Sequence, residues 1–380
     1  MNTAHVPTLE IESLHDWSVR ISGVDEIAGW VVQSVDLSQC GADLARVNPD
    51  GAIFLGCELP DGQVEDLRER GALIFPRLEH VPFDPYRGTL YGPAELHDAV
   101  LRGGRYVETT DARIHSWATS LPQPADLSAS LAATLHDHAV TDALEELMNG
   151  IPQARTVGVM GGHAIQRGAD AYVGAARLAS QLTLAGFTVL TGGGPGAMEA
   201  ANLGAHLAGQ DAVLSDAVDH LARVPGYVGN ETAWVRAAIE LRAQVHATGQ
   251  SVGIPTWYYG HEPTNVFATA VAKYFSNALR EDILIQHCRG GIIYLPGAAG
   301  TVQEVFQAAT SNYYSADDDQ VCPMVFVGVE HWTRTLPAWP LITALGRGRT
   351  MGERLLLVDD VDEAADYLVG QANGRRVASR

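Results

Sequence analysis

Two glycine-rich turns, TGGGPGAMEAAN (Thr191 to Asn202) and LPGAAGTVQE (Leu295 to Glu304), each follow a short apolar run and each open a helical pattern. Backbone N–H groups at such a turn point outward at the positive end of the helix dipole, and glycine lets a phosphate approach the main chain closely. The candidates for phosphate contact are Thr191, Gly192, Gly193, Gly194 and Gly196 in the first turn, and Gly297, Gly300 and Thr301 in the second. One glycine cluster alone fits any tight strand-to-helix connection. Two of them suggest a phosphorylated ligand held between them.

Other chemistries find less support. Of the fourteen histidines, the pairs His136 with His138 and His261 with Glu262 lack the spacing of a ligand set such as H-E-x-x-H, so no metal is expected. G-x-S-x-G is absent and no cysteine has a local base, which argues against serine or cysteine nucleophiles. Glu199 falls in the first turn of its helix, where a carboxylate complements the dipole, and is read as structural. Thr301-Val302-Gln303-Glu304 spells a T-x-x-E capping box, which would satisfy two N–H groups at a helix start.

The elements that must position the turns alternate between strand and helix from Ile151 onward, which implies a parallel sheet. Strands are expected at RTVGVMGG (155–162), FTVLT (187–191), SVGIP (251–255), GIIYLP (291–296), PMVFVG (323–328) and LLLVDD (355–360). Helices are expected at about 169–185, 196–207, 265–287 and from 301. On the long 265–287 helix, Lys273, Asn277 and Arg280 form a polar stripe, either solvated or facing a ligand. The insertion at 209–250 reads either as a flap or as a pair of packed surface helices. The pattern resembles a doubly wound Rossmann-like domain, in which ligands bind beyond the carboxyl ends of the strands, where both glycine turns depart.

Residues 1–150 read as a small α+β domain with an accessory or regulatory role, and 151–380 as the Rossmann-like domain. Strand-like pieces occur at WVVQSVDL (30–37) and GAIFLGCEL (51–59), with no internal repeat recognised. The stretch FPRLEHVPFDPYRGTLYGP (75–93), carrying Arg77 and Arg87, either contacts a partner or regulator, lines a pocket, or is an ordered connector. SLPQPADLSAS (120–130) reads as a linker ahead of a helix at 132–148.

With 380 residues and 46% hydrophobic content the chain can bury a large core. Its 45 acidic residues against 25 basic ones give a net charge of −20, which disfavours nucleic acid as a partner. Four isolated cysteines indicate neither a disulfide framework nor a zinc ribbon, and no apolar run approaches the ~20 residues needed to cross a bilayer. A cytoplasmic protein without membrane attachment is expected.

PGAAGTVQE resembles the PGGxGTxxE motif of the LOG family, Rossmann-like proteins long described as lysine decarboxylases. GVMGGHA (158–164), with Gly161 and Gly162, is similar to that family's first glycine turn. TGGGPGAMEAAN resembles its second, SVGIP its middle strand, and Arg280 stands where the family keeps an arginine. The likeness covers about residues 155–314 and extends to longer bacterial members with an extra N-terminal domain. It implies a phosphoribohydrolase that cleaves the N-glycosidic bond of a nucleoside 5′-monophosphate, without cofactor, in a homodimer or larger homo-oligomer. Arg280 and Glu304 would then be the catalytic residues: the guanidinium clamps phosphate or ribose, and the carboxylate stabilises an oxocarbenium-like centre and activates water. His163 is an acid candidate for the leaving base, or simply a polar turn residue.

Two positions depart from the family pattern. Ala298 stands for the second glycine of PGG, and Glu281 replaces a cation after Arg280. Ala298 keeps a rival reading open, a nucleotide sensor without turnover. A dinucleotide dehydrogenase is disfavoured because GVMGGH lacks G-x-G-x-x-G spacing.

Overall fold

The computed structural model describes residues 9–78, 80–122, 125–258 and 262–378. They divide into two compact units, one of residues up to 89 with 121–143, the other of 90–120 with 144 onward.

In the smaller unit β1 (Leu9–Ile11), α1 (Leu14–Arg20), β2 (Trp30–Gln33), α2 (Gly41–Arg46), β3 (Ile53–Leu55), α3 (Gln63–Glu69) and β4 (Leu73–Phe75) follow one another along the chain. The strands lie in the order β1-β2-β3-β4, and every pair is parallel. Leu9 faces Trp30, Val31 faces Ile53, and Ile53 faces Leu73, so the chain returns to the same place after 21, 22 and 20 residues. Each return buries a strand residue (Ile11, Val32, Phe54) and a helix residue (Trp17, Leu44, Leu67) in one core. This is a strand–helix coil of short period, where an α+β domain without repeats was expected. The repeat is hidden because only the pattern recurs: Gly29-Trp30-Val31-Val32, Gly51-Ala52-Ile53-Phe54 and Gly71-Ala72-Leu73-Ile74 share a glycine and apolar character, at unequal spacing.

Residues 75–78 and 80–89 of the proline-rich stretch form an ordered connector of this unit. Arg77 Nη1 donates to Glu58 Oε1 at 3.0 Å, buried Arg87 donates from Nε to the Thr89 carbonyl at 2.6 Å, and the Tyr86 hydroxyl donates to the Pro76 carbonyl at 3.0 Å. His136 is buried edge-on against Phe83, while His138 is exposed.

The larger unit begins with α4 (Pro93–Leu96), α5 (Asp98–Leu101) and α6 (Thr110–Ser120); the division between units falls inside α7 (Leu127–Met148). Then come β5 (Thr156–Met160), α8 (Asp170–Leu184), β6 (Thr188–Thr191), α9 (Ala197–His206), α10 (Asp211–Leu221), α11 (Glu231–Gln244), β7 (Ser251–Gly253), β8 (Ala270–Val271) and α12 (Asn277–His287). The chain closes with β9 (Gly291–Tyr294), α13 (Ala299–Tyr313), β10 (Met324–Val327), α14 (Ala338–Gly346), α15 (Thr350–Glu353), β11 (Leu355–Val358) and α16 (Val361–Ala378). Seven strands in the order β11-β10-β9-β5-β6-β7-β8, all parallel, form an α/β sheet of Rossmann-like type. β5, β9 and β10 are buried at every residue, as expected of strands covered by helices on both faces.

Successive strands run outward from β5 to β8, after which the chain returns to β9 on the other side of β5. That reversal opens a crevice beyond the carboxyl ends of β5 and β9. The insertion is a pair of packed helices: α10 and α11 bury Leu214, Leu221, Trp234 and Val235 in the main core.

Two expectations are corrected. The helix expected at 265–287 is interrupted by β8 and starts only at Asn277, where the Ser276 side chain accepts from the Leu279 N–H. Lys273 therefore lies on no helix. The boundary at 150 is also displaced, because residues 90–120 belong to the larger unit, where Tyr91 and Val271 exchange backbone hydrogen bonds at 3.0 and 2.9 Å.

Asp111 on α6 explains that displacement. Its Oδ1 accepts from Lys273 Nζ at 2.7 Å and from Trp257 Nε1 at 3.0 Å, and its Oδ2 accepts from the Tyr106 hydroxyl at 2.9 Å and from Thr264 at 3.2 Å. Burial opposes ionisation of this carboxyl, yet Lys273, His97 and the donated hydrogen bonds together hold it well below the usual carboxylate range.

Among the described residues no helix is long and apolar enough to cross a membrane.

Candidate functional site

A cleft of about 730 Å³ lies where the topology requires it, lined by the turn after β5 (Gly161, Gly162, His163), the turn after β6 (Gly192, Gly194) and the turn after β9 (Gly297 to Thr301). The volume suits a small-molecule ligand. The three turns interlock through the backbone: the Gly162 N–H donates to the Pro296 carbonyl at 3.1 Å, and the Gly162 carbonyl accepts from the Ala197 N–H at 3.1 Å. Gly196 makes that approach possible, since at φ +68 a Cβ there would stand 2.4 Å from the Gly162 carbonyl oxygen.

The second turn is partly scaffold. Thr191, Gly193 and Gly196 do not line the cleft, whereas Gly192 and Gly194 do. Buried Thr191 donates to Asn202 Oδ1 at 2.8 Å and accepts from the Gly193 N–H at 3.0 Å, so its hydroxyl holds the turn rather than a ligand. Asn265 fastens the same network to the Gly194 carbonyl at 3.0 Å. Glu199 is likewise internal, buried against Arg167 and accepting from the Tyr172 hydroxyl at 3.1 Å.

The third turn differs from its expected chemistry. Helix α13 starts at Ala299 with Ala298 as its N-cap, and no side chain caps it. Thr301 is therefore inside the first turn, and the T-x-x-E capping box does not form. An uncapped helix start of this kind leaves its first N–H groups to an anion. Ala298 has φ −115, so it does not occupy the left-handed region that favours glycine. Gly297, in contrast, has no room for a side chain: a Cβ would lie 2.2 Å from Thr301 Oγ1. Gly297→Ala is expected to cost about 1–3 kcal/mol of stability. Gly300→Ala, where a Cβ meets nothing within 4 Å, is expected to gain about 0.5–1 kcal/mol through helix propensity. Urea unfolding of the two variants checks the contrast, and equal stabilities would contradict it.

Freed from a capping role, Glu304 turns to Arg280, whose Nη1 stands 3.3 Å from Glu304 Oε1. Both side chains are nearly buried, at 11% and 10% exposure, and both line the cleft. Burial pushes the Glu304 carboxyl up to about 7, with Glu281 pushing the same way and Arg280 opposing. Asn277 Nδ2 donates to Glu281 Oε1 at 3.0 Å, and Gln303 holds the other carboxylate oxygen. Asn277 thus supports Glu281, and Lys273 is committed to Asp111, so of the expected polar stripe only Arg280 reaches the cleft.

Sequence reasoning passed over two cleft residues. His331, just after β10, accepts the Gly297 N–H at 3.4 Å through Nε2; its position beyond a strand end next to β9 was the available signal. Glu262, considered only beside His261, lies with Oε1 3.2 Å from His163 Nδ1. His261 itself falls outside the described residues. Among the described residues no cluster of His, Cys, Asp and Glu is arranged to hold a metal.

No protein-family model matches the chain, and no curated protein matches it. Among solved structures, the molybdenum cofactor binding protein of the phototrophic bacterium Rippkaea orientalis is 16% identical, over 56% of this chain and 93% of that one, with a TM-score of 0.33. A Moco carrier protein from Chlamydomonas reinhardtii is 18% identical, over 58% and 98%, with a TM-score of 0.35. Likeness of this degree carries no argument about this chain.

Proposed function

We propose that this protein hydrolyses the N-glycosidic bond of a nucleoside 5′-monophosphate, giving free base and ribose 5-phosphate. The observation that carries the reading is the placement of Glu304 in the cleft, on the helix with the uncapped start and 3.3 Å from Arg280 Nη1, where burial raises its carboxyl to a pKa of about 7. The resemblance to the LOG family supports the same assignment.

The phosphate binds the N–H groups opening α13, where glycine and alanine leave the backbone accessible. Cleavage builds positive charge on the ribose ring as the C1′–N bond lengthens, and ionised Glu304 stabilises that charge. The same carboxylate takes a proton from the water that attacks C1′, a task suited to a group with pKa near the working pH. Arg280 orients the carboxylate and shares the negative charge of ligand and Glu304. No step calls for a metal or redox cofactor. Product analysis with a panel of 5′-monophosphates tests the reading. A nucleotide sensor without turnover would bind such a ligand and release no base.

A further inference from the structure

Hydrolysis of an N-glycoside needs a second proton transfer, because an ordinary base departs as an anion unless its nitrogen is protonated. Glu304 and Arg280 do not supply that acid. Resting on the hydrolase reading above, we infer that His163, backed by Glu262, protonates the departing base.

His163 follows β5 at the centre of the sheet and lines the cleft, with 52% of its side chain exposed. Glu262 approaches from the segment between β7 and β8, lines the same cleft, and places Oε1 3.2 Å from His163 Nδ1. Its other oxygen lies over the second glycine turn, 3.3 Å from where a Cβ on Gly194 would stand. A carboxylate at Nδ1 holds the imidazole in one orientation and leaves Nε2 as the donor, the base-and-orienter arrangement of proton-transfer dyads. Glu304 reaches the cleft from α13, after the neighbouring strand β9, so acid and base enter on different elements.

The balance closes. The C1′–N bond breaks with its electron pair going to the base nitrogen, which takes the proton from His163 Nε2. Water oxygen forms the new bond to C1′, and its proton goes to Glu304. Solvent returns the proton from Glu304 to His163, leaving one water consumed per bond cleaved.

The test uses the full chain and two matched probes, guanosine 5′-monophosphate and 7-methylguanosine 5′-monophosphate. The methylated base already carries a positive charge and leaves without being protonated. His163→Gln is expected to lower kcat on the best ordinary monophosphate by about 10²–10⁴-fold, with KM little changed, and to leave cleavage of the methylated probe nearly as fast as in the wild type. Glu262→Gln should act in the same direction with a smaller loss. An unchanged rate on ordinary monophosphates, or an equal loss on both probes, overturns the acid role while the hydrolase reading stands. A wild type that releases base from no monophosphate removes the hydrolase reading and this inference with it.

Discussion

Glu304→Gln is expected to lower turnover of a nucleoside 5′-monophosphate by about 10²–10⁴-fold, the range typical of lost acid–base help, while ligand binding is largely retained. Glutamine keeps an oxygen for Arg280 Nη1 but neither carries the charge that stabilises an oxocarbenium-like centre nor accepts a proton from water. The pH dependence has a defined sign. With the carboxyl raised to about 7, kcat/KM of the wild type should fall as pH drops through that value, and this limb should vanish in the variant. Stability runs the other way. The unfolded carboxyl titrates near ~4.3, so the folded group's contribution is fully present below that pH and is lost as pH rises through about 7. Removing the charge therefore should not destabilise the protein at pH 8. Near-normal turnover in Glu304→Gln would exclude the carboxylate from catalysis.

Asp111→Ala is expected to destabilise the protein by about 3–5 kcal/mol, because it leaves the ammonium of Lys273, 2% exposed, without its buried counter-ion. The same change unsatisfies Trp257 and Thr264, which lead into the cleft wall, so ligand affinity should fall along with stability. Adding Lys273→Met should recover part of the loss, since an uncharged pair has no stranded ion. Denaturant titration measures both variants. A single variant as stable as the wild type would mean that the Asp111–Lys273 pair does not tie residues 90–120 to the sheet. For the same reason a truncation at residue 150 would strip the sheet domain of a buried counter-ion.

The parts of this fold that were legible in the sequence are those where local pattern and tertiary role agree. β5, β9 and β10 are buried throughout and largely apolar because both faces are covered, and the glycine turns announce the ends of strands where the cleft forms. Gly192, Gly194, Gly297, Gly300, Thr301, Arg280 and Glu304 all meet there. What was not legible depended on distant partners. Lys273 looked helical in spacing, but its neighbour at Asp111 lies 162 residues away in sequence. Thr301 and Glu304 have the spelling of a capping box, yet the helix already begins at Ala299, so Thr301 lies inside its first turn and Glu304 turns to Arg280. The coil of the smaller unit is hard to see in the sequence because strands of three or four residues, returning at 20 to 22 residues, leave almost no signal.

The most direct test of the proposed activity is to incubate the full-length protein with individual nucleoside 5′-monophosphates and with the matching nucleosides, and to follow free base and ribose 5-phosphate by chromatography. The account predicts both products, in equal amounts, from at least one monophosphate, and little or no base from its nucleoside, because the phosphate anchors the ligand at the start of α13. Binding of monophosphates with no base released from any of them would contradict it.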